Sequence, residues 1–133
     1  MRNNDIGLDG VLFNVNSDQT NEIAVPFYFE KEQDSLSGAG AVSVTTYYTE
    51  LTSTSTDAWT LADGLVTGQM KKVQMIVDGG TSTLTLASPV SASLDVITYT
   101  DVGQFSIFIW NGVAWVILER GNAATGVTAP AVG

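Results

Sequence analysis

Two carboxylates on either side of a tryptophan are the first residues of this chain that could perform chemistry. Asp57 and Asp63 bracket Trp59. Glycoside hydrolases use a carboxylate pair as general acid and as base or nucleophile, and an aromatic ring beside the pair can stack on a sugar. The simpler interpretation is that the two aspartates begin and end a loop, where an Asp side chain accepts hydrogen bonds from the backbone. A small glycoside hydrolase is therefore only a rival hypothesis.

The remaining polar groups offer little for catalysis or metal binding. Asp78, Asp95 and Asp101 lie near predicted turns and could supply oxygen ligands to calcium, but their spacing is not that of a calcium-binding loop. The chain has no cysteine and no histidine, which excludes thiolate nucleophiles, imidazole bases and Cys/His zinc sites. We predict no catalytic residue, no metal and no cofactor, and therefore a protein that is not an enzyme.

The charge balance excludes two classes of partner. The 133 residues include 14 acidic and 5 basic side chains, which gives a net charge of −9. Such a chain repels phosphate groups, so we expect it to bind neither nucleic acid nor an anionic membrane. Lys71 and Lys72 stand together just before an apolar stretch. They are either solvated strand residues or partners of an acidic patch on another subunit, and the second interpretation makes both candidate interface residues.

The tryptophans have more than one interpretation. Trp115 lies among aliphatic residues, which favours the core. Trp110, next to a predicted turn, fits the core, a subunit interface or a ligand face. Trp59 and Trp110 together are the candidate ligand face of an alternative function, in which exposed rings stack on sugar rings.

The elements that would position these residues are short strands. From Ala41 to Arg120, apolar runs alternate with turn signals about every 8 to 12 residues, which is typical of an all-β fold. We predict an antiparallel sandwich, with a jelly roll or a small barrel as alternatives, and little or no helix. Residues 1–38 are predicted to form an N-terminal arm with one or two edge strands, residues 39–120 the β-domain and residues 121–133 a C-terminal tail.

The clearest strand signal is a hairpin from Gln104 to Leu118. Its two apolar runs flank Asn111-Gly112, a pair that suits a two-residue type I′ turn. Both faces of the runs are apolar, so we expect one face to cover the core and the other to contact a partner. The candidate contacts with a partner are the aromatic residues of this hairpin and of the arm: Phe13, Phe27, Tyr28, Phe29, Phe105, Phe108 and Trp110.

The region from Ala58 to Asn122 resembles a β-domain of virion structural proteins from tailed bacteriophages, especially marine phages. In that family a Leu-x-Asp-Gly segment followed by Gly-Gln and a lysine leads into a strand, and a later Asp, Gly and Trp-x-Gly-x-x-Trp complete the pattern. The resemblance covers about half of the chain. The matching positions are Leu61, Asp63, Gly64, Gly68, Gln69, Lys71 or Lys72, Asp101, Gly103, Trp110, Gly112 and Trp115.

The resemblance implies a non-enzymatic subunit of a phage particle. Within the family, the best-fitting role is a capsid decoration, or cement, protein on the outer surface of the head. Such proteins are usually homotrimers, so the expected partners are copies of the chain itself and the major capsid protein. The alternative is a tail-fibre or receptor-binding module that recognises host glycans.

Overall fold

The chain forms twelve short strands in the parts that the structure describes. The computed structural model describes residues 33–124 and 128–133 fully, and residues 13–15 and 21–23 as backbone. The only helical element in these ranges is one 3₁₀ turn, Ala92–Leu94, so the predicted all-β class is confirmed. The strands are β1 (Phe13–Val15), β2 (Asn21–Ile23), β3 (Gln33–Ser37), β4 (Gly40–Val42), β5 (Tyr48–Thr52), β6 (Ala58–Leu61), β7 (Met70–Val77), β8 (Ser82–Leu86), β9 (Val96–Tyr99), β10 (Gln104–Trp110), β11 (Trp115–Asn122) and β12 (Ala131–Val132).

Strands β3 to β12 build the predicted sandwich, but its two five-stranded sheets are mixed and not antiparallel as predicted from the sequence. The first sheet has the order β11-β10-β7-β5-β3 and the second the order β12-β9-β8-β6-β4. From β3 to β8 each strand crosses to the other sheet. Strands two apart in sequence therefore become neighbours that run in the same direction, and β3, β5 and β7 pair in parallel, as do β4, β6 and β8.

The C-terminal half extends both sheets with antiparallel strands. β9 pairs with β8, whereas β10 pairs with β7 and then with β11. β12 pairs with β9, and the backbone of Gly133 exchanges hydrogen bonds with that of Val96 at 3.0 and 3.1 Å. Residues 131–133, predicted as part of a tail, therefore lie on the second sheet.

The core consists of ladders of apolar side chains that repeat from strand to strand. In the first sheet Leu36, Leu51 and Met75 are register neighbours, and in the second sheet Val42, Leu61 and Leu86 are. All of these side chains belong to one apolar cluster between the sheets. Burial of the alternate positions on both sheets is what holds the two layers together.

The hairpin of β10 and β11 differs from the sequence prediction at its turn. Trp110 pairs with Trp115, so four residues connect the strands rather than two. The carboxamide oxygen of Asn111 accepts hydrogen bonds from the backbone N–H groups of Val113 and Ala114, at 2.9 and 2.8 Å. This side-chain acceptor replaces the backbone acceptor of a type I′ turn, and Gly112 supplies a φ of 99°.

The predicted arm is described only in part. Residues 33–37, which the sequence assigned to the arm, form β3 in the first sheet, and β1 pairs with β2 as a separate hairpin. The described ranges include no helix with the length and apolar character needed to cross a lipid bilayer.

Candidate interaction surfaces

The outward side of the first sheet, named here the outer face, carries an apolar centre. Along β10 the inward residues are buried, whereas Phe105, Ile107 and Ile109 alternate with them and are half-buried. Met70 of β7 and Val116 of β11 flank Ile109 on either side and are also half-buried. The inward face of the hairpin covers the core, as the sequence predicts; the contact of the outward face with a partner stays a prediction.

Charged side chains frame this apolar centre. Ile107 has Lys72 as its register neighbour on β7 and Glu119 on β11. The ammonium nitrogen of Lys72 lies 5.1 Å from the ring centres of both Tyr48 and Phe105. A cation over two aromatic rings is held in place by their electron-rich faces, so the positive charge of Lys72 is fixed on the outer face.

A second surface, named here the end groove, lies where the loop of residues 62–69 meets residues 44–45. Its volume is about 600 Å³, and its lining includes Val44, Leu65, Val66 and Met70. Leu65 and Val66 are each 64% exposed, and this is unusual for large apolar side chains that are neighbours in sequence. Because Met70 also lies on the outer face, the two apolar surfaces are continuous.

The loop beside the end groove is held by a glutamine side chain and by close packing against a tryptophan. The Gln69 side chain accepts a hydrogen bond from the backbone of Leu65 at 2.6 Å and donates one to the carbonyl of Val44. Gly64 lies against Trp110 so closely that an ideal Cβ would stand 2.3 Å from Cγ of the indole.

The indole N–H of Trp115 reaches the same loop. It donates a hydrogen bond to the carbonyl of Ala62 at 2.8 Å, and the ring lies edge-on against Trp110 at 5.3 Å between ring centres. Residues that are far apart in sequence therefore converge on one end of the sandwich, where they position the exposed loop.

Lys71 is the one buried cation of the described ranges, and its side chain is fully enclosed. Its ammonium group donates to the carbonyl and the hydroxyl of Thr46, each at 3.0 Å, and to the hydroxyl of Thr49. Both hydroxyls donate in turn to the carboxylate of Asp34. Burial lowers the pKa of Lys71 from 10.5 to about 8, and the nearby negative charge of Asp34 partly opposes this shift.

The structure corrects several site residues predicted from sequence. Three of the predicted interface residues, Lys71, Phe108 and Trp110, are buried inside the sandwich and do not form a contact surface. Trp59 is 0% exposed, with its indole N–H bound to the carbonyl of Gly38 at 2.9 Å, and Trp110 is 6% exposed. Neither tryptophan offers a ring face to a sugar, because the pleat of its strand directs it into the core.

Other predicted residues keep their candidate status. Phe105 and Lys72 lie together on the outer face, as the interface hypothesis requires. Phe27, Tyr28 and Phe29 lie outside the described residues, and Phe13 is described only as backbone in β1.

Two of the aspartates considered for chemistry, Asp57 and Asp78, stabilise turns. Asp57 accepts a hydrogen bond from the backbone N–H of Thr54 at 2.7 Å and a longer one from Ser55, and these bonds lower the pKa of its carboxyl group. Asp78 accepts from the backbone of Gly80 at 2.9 Å. Among the residues that the structure describes, no three acidic side chains lie close enough to hold a metal ion.

Sequence reasoning missed several residues that define the two surfaces: Met70, Ile107, Ile109, Val116 and Glu119 on the outer face, and Leu65 and Val66 at the end groove. The alternation of β10 could have identified Ile107 and Ile109, since they share the parity of Phe105. Only the register between strands brings Met70, Val116 and Glu119 to them.

Comparison of the chain with known protein families, with curated proteins and with solved structures finds no match. The interpretation of the two surfaces therefore depends on their own chemistry.

Proposed function

We propose that this protein is a non-enzymatic structural subunit of a tailed-phage particle, a decoration protein that binds the outer surface of the head as a homo-oligomer. The observation that carries the proposal is the apolar outer face along β10. Phe105, Ile107 and Ile109 form one continuous apolar strip there, on the face of β10 opposite to the core. A sheet face of this kind favours burial against another protein surface.

The end groove supports a second contact within the same role. A decoration subunit needs one surface for its own copies and another for the shell. The exposed Leu65 and Val66 lie on a loop fixed by Gln69 and the two tryptophans, so the loop presents them in a defined geometry. The outer face then serves self-association, and the end groove is the surface offered to the major capsid protein.

The glycan-binding alternative receives no support from the residues on which it depended. Trp59 and Trp110 are buried, and their substitution would damage the core rather than a sugar site. A tail-fibre role that uses other residues has no specific observation in its favour among the described residues.

The experiment that tests the proposal is electron cryomicroscopy of particles assembled with and without the chain. Wild-type protein added to heads that lack it should appear as density at fixed icosahedral positions on the shell. A Leu65→Ser/Val66→Ser variant should leave the shell bare, whereas Thr45→Ser, a conservative change that also lines the groove, should bind normally. Absence of the wild-type chain from the shell, or its presence in the tail alone, would contradict the proposal.

A further inference from the structure

We infer that a second copy of this chain covers the outer face, around a symmetry axis that runs parallel to β10 and above it. Lys72 of one subunit then pairs with Glu119 of the next. This inference identifies the self-contact of the proposed assembly and rests on the self-association in that proposal. It follows from how three rows of side chains cross the outer face at β10.

Each row places different chemistry on the two sides of β10. The first row reads Val116, Ile109, Met70 across β11, β10 and β7. The second reads Glu119, Ile107, Lys72 in the same order of strands. Because adjacent strands are about 4.8 Å apart, Glu119 and Lys72 stand about 10 Å apart with the apolar strip between them.

The third row fits the same pattern with a size difference instead of a charge difference. It reads Gly121, Phe105, Gln74. The Phe105 ring covers Gly121, since an ideal Cβ on the glycine would lie 2.7 Å from the ring carbon Cζ. The β11 side of this row therefore offers a flat ring, and the β7 side offers an amide.

An axis along β10 makes these rows complementary. Rotation about this axis places the β7 side of one subunit against the β11 side of the next. Positions along β10 do not change, so each row of one subunit meets the same row of the other. Lys72 then faces Glu119, and Met70 faces Val116. The Gln74 amide meets the Phe105 ring, and Ile107 lies near the axis. Opposite charges at the edge of an apolar contact set its register.

The other simple axis, in the plane of the face but across the strands, has the opposite effect. It carries each strand onto itself in reverse, so Lys72 faces Lys72 and Glu119 faces Glu119. Like charges opposite each other are unfavourable, and Met70 would also lose its apolar partner and face Gln74. Charge therefore selects the axis along β10, for a closed ring of two copies or of three.

The first test measures self-association of the full chain by sedimentation equilibrium. With the axis along β10, Lys72→Met and Glu119→Gln should each raise the dissociation constant about tenfold. The exchanged pair Lys72→Glu/Glu119→Lys should return it to within about threefold of the wild-type value. Asp95→Asn, which removes a charge beside β9 of the second sheet, away from the outer face, is the matched control and should change little.

The second test uses the absence of cysteine from the chain. Subunits with Met70→Cys mixed with subunits with Val116→Cys should form an intersubunit disulfide under mild oxidation. Met70→Cys mixed with Gln74→Cys should not, because those positions meet only when the axis crosses the strands. Each variant is compared with wild type by circular dichroism, so that a misfolded subunit is recognised.

The outcomes separate this inference from the proposed function. A dimer or trimer with the expected charge exchange and cross-link supports the inference. A monomer up to about 100 μM, well above the dissociation constants of stable assemblies, overturns it, and so does tighter association of Lys72→Met. If such a protein still binds phage heads, the decoration role stands without this contact. A ring formed through the outer face that never enters particles would leave the contact in place and refute the decoration role.

Discussion

Replacement of the buried Lys71 should remove a rise in stability with pH. Lys71 is enclosed between the sheets and bound to Thr46 and Thr49, and burial lowers its pKa from 10.5 to about 8. Between these two values the unfolded chain binds a proton at Lys71 that the folded chain has released. The free energy of unfolding rises with pH wherever the unfolded state binds more protons, so wild-type protein should become more stable as the solution becomes alkaline.

The pKa shift fixes the size of this effect. Each unit of pKa difference is worth about 1.4 kcal/mol, so the whole shift corresponds to about 3 kcal/mol. Between about pH 7.5 and pH 9.5, the titrations of Lys71 in the folded and in the unfolded chain together raise the free energy of unfolding by about 2 kcal/mol. The range ends there because burial raises the pKa of Tyr99. Above about pH 10 the unfolded chain ionises this phenol first, and stability falls again.

Urea denaturation at several pH values and one protein concentration measures the effect. Wild-type protein should gain about 2 kcal/mol across this range, and Lys71→Met should gain close to none. Lys72→Met, the same substitution one residue later on the half-buried outward side of β7, should keep the gain. Because each variant is compared with itself at another pH, differences in self-association largely cancel.

Two results would refute this reasoning. One is an equal rise in wild type and Lys71→Met, which would assign the titration to another group. The other is a flat wild-type profile, which would mean that the ammonium group remains protonated in the folded state. Asp34→Asn adds a check of sign. The charge of Asp34 raises the pKa of Lys71, so its removal should move the start of the rise to lower pH.

Three further substitutions test the packing around the tryptophans and the hairpin loop by urea denaturation. Gly64→Ala should lower the free energy of unfolding by about 1 to 3 kcal/mol, because the new Cβ would overlap the Trp110 ring. Gly133→Ala, whose Cβ would meet no atom within 4 Å, is the control, and equal stability of the two variants would contradict the close contact of Gly64 with Trp110. Asn111→Ala should cost about 1 to 2 kcal/mol because two backbone N–H groups lose their acceptor, and Asn111→Asp should recover most of that loss. Trp59→Phe should cost about 1 to 3 kcal/mol through lost volume and the lost hydrogen bond to the carbonyl of Gly38; an unchanged stability would place the indole at the surface after all.

The strand positions could be predicted because they depend on local alternation. In β7 the alternation of the sequence predicts Val73, Met75 and Val77 on one face and Lys72, Gln74 and Ile76 on the other, and the structure confirms this division as far as Met75. Val77 departs from it and is 46% exposed, after a register shift between Leu51 and Thr52 of the neighbouring strand. Such a shift depends on the partner strand, which local alternation does not specify.

The pairing between strands could not be predicted for a related reason. Residues 41–51 look like one alternating run, but the chain bends at residues 43–47 and the two ends belong to different sheets. Parallel pairing of β3, β5 and β7 joins segments that are far apart in sequence and leaves no turn signal between them. Burial of Lys71 escaped prediction in the same way, since its acceptors lie on other strands and in the 43–47 bend.

The two adjacent lysines of β7 have different roles because the pleat of the strand places them on opposite faces of the sheet. Successive side chains of a strand point to opposite faces, so a slip of one residue would put Lys72 inside and Lys71 outside. The acceptors at Thr46, Thr49 and Asp34 exist only on the inner side, where a buried ammonium group without them is strongly unfavourable. A slip of two residues would keep Lys71 inside but move it away from these acceptors, and a slip of one would expose Val73 and Met75. We infer that the buried lysine holds this strand in the register that presents Lys72, and with it the charge pattern of the outer face, to a neighbouring subunit.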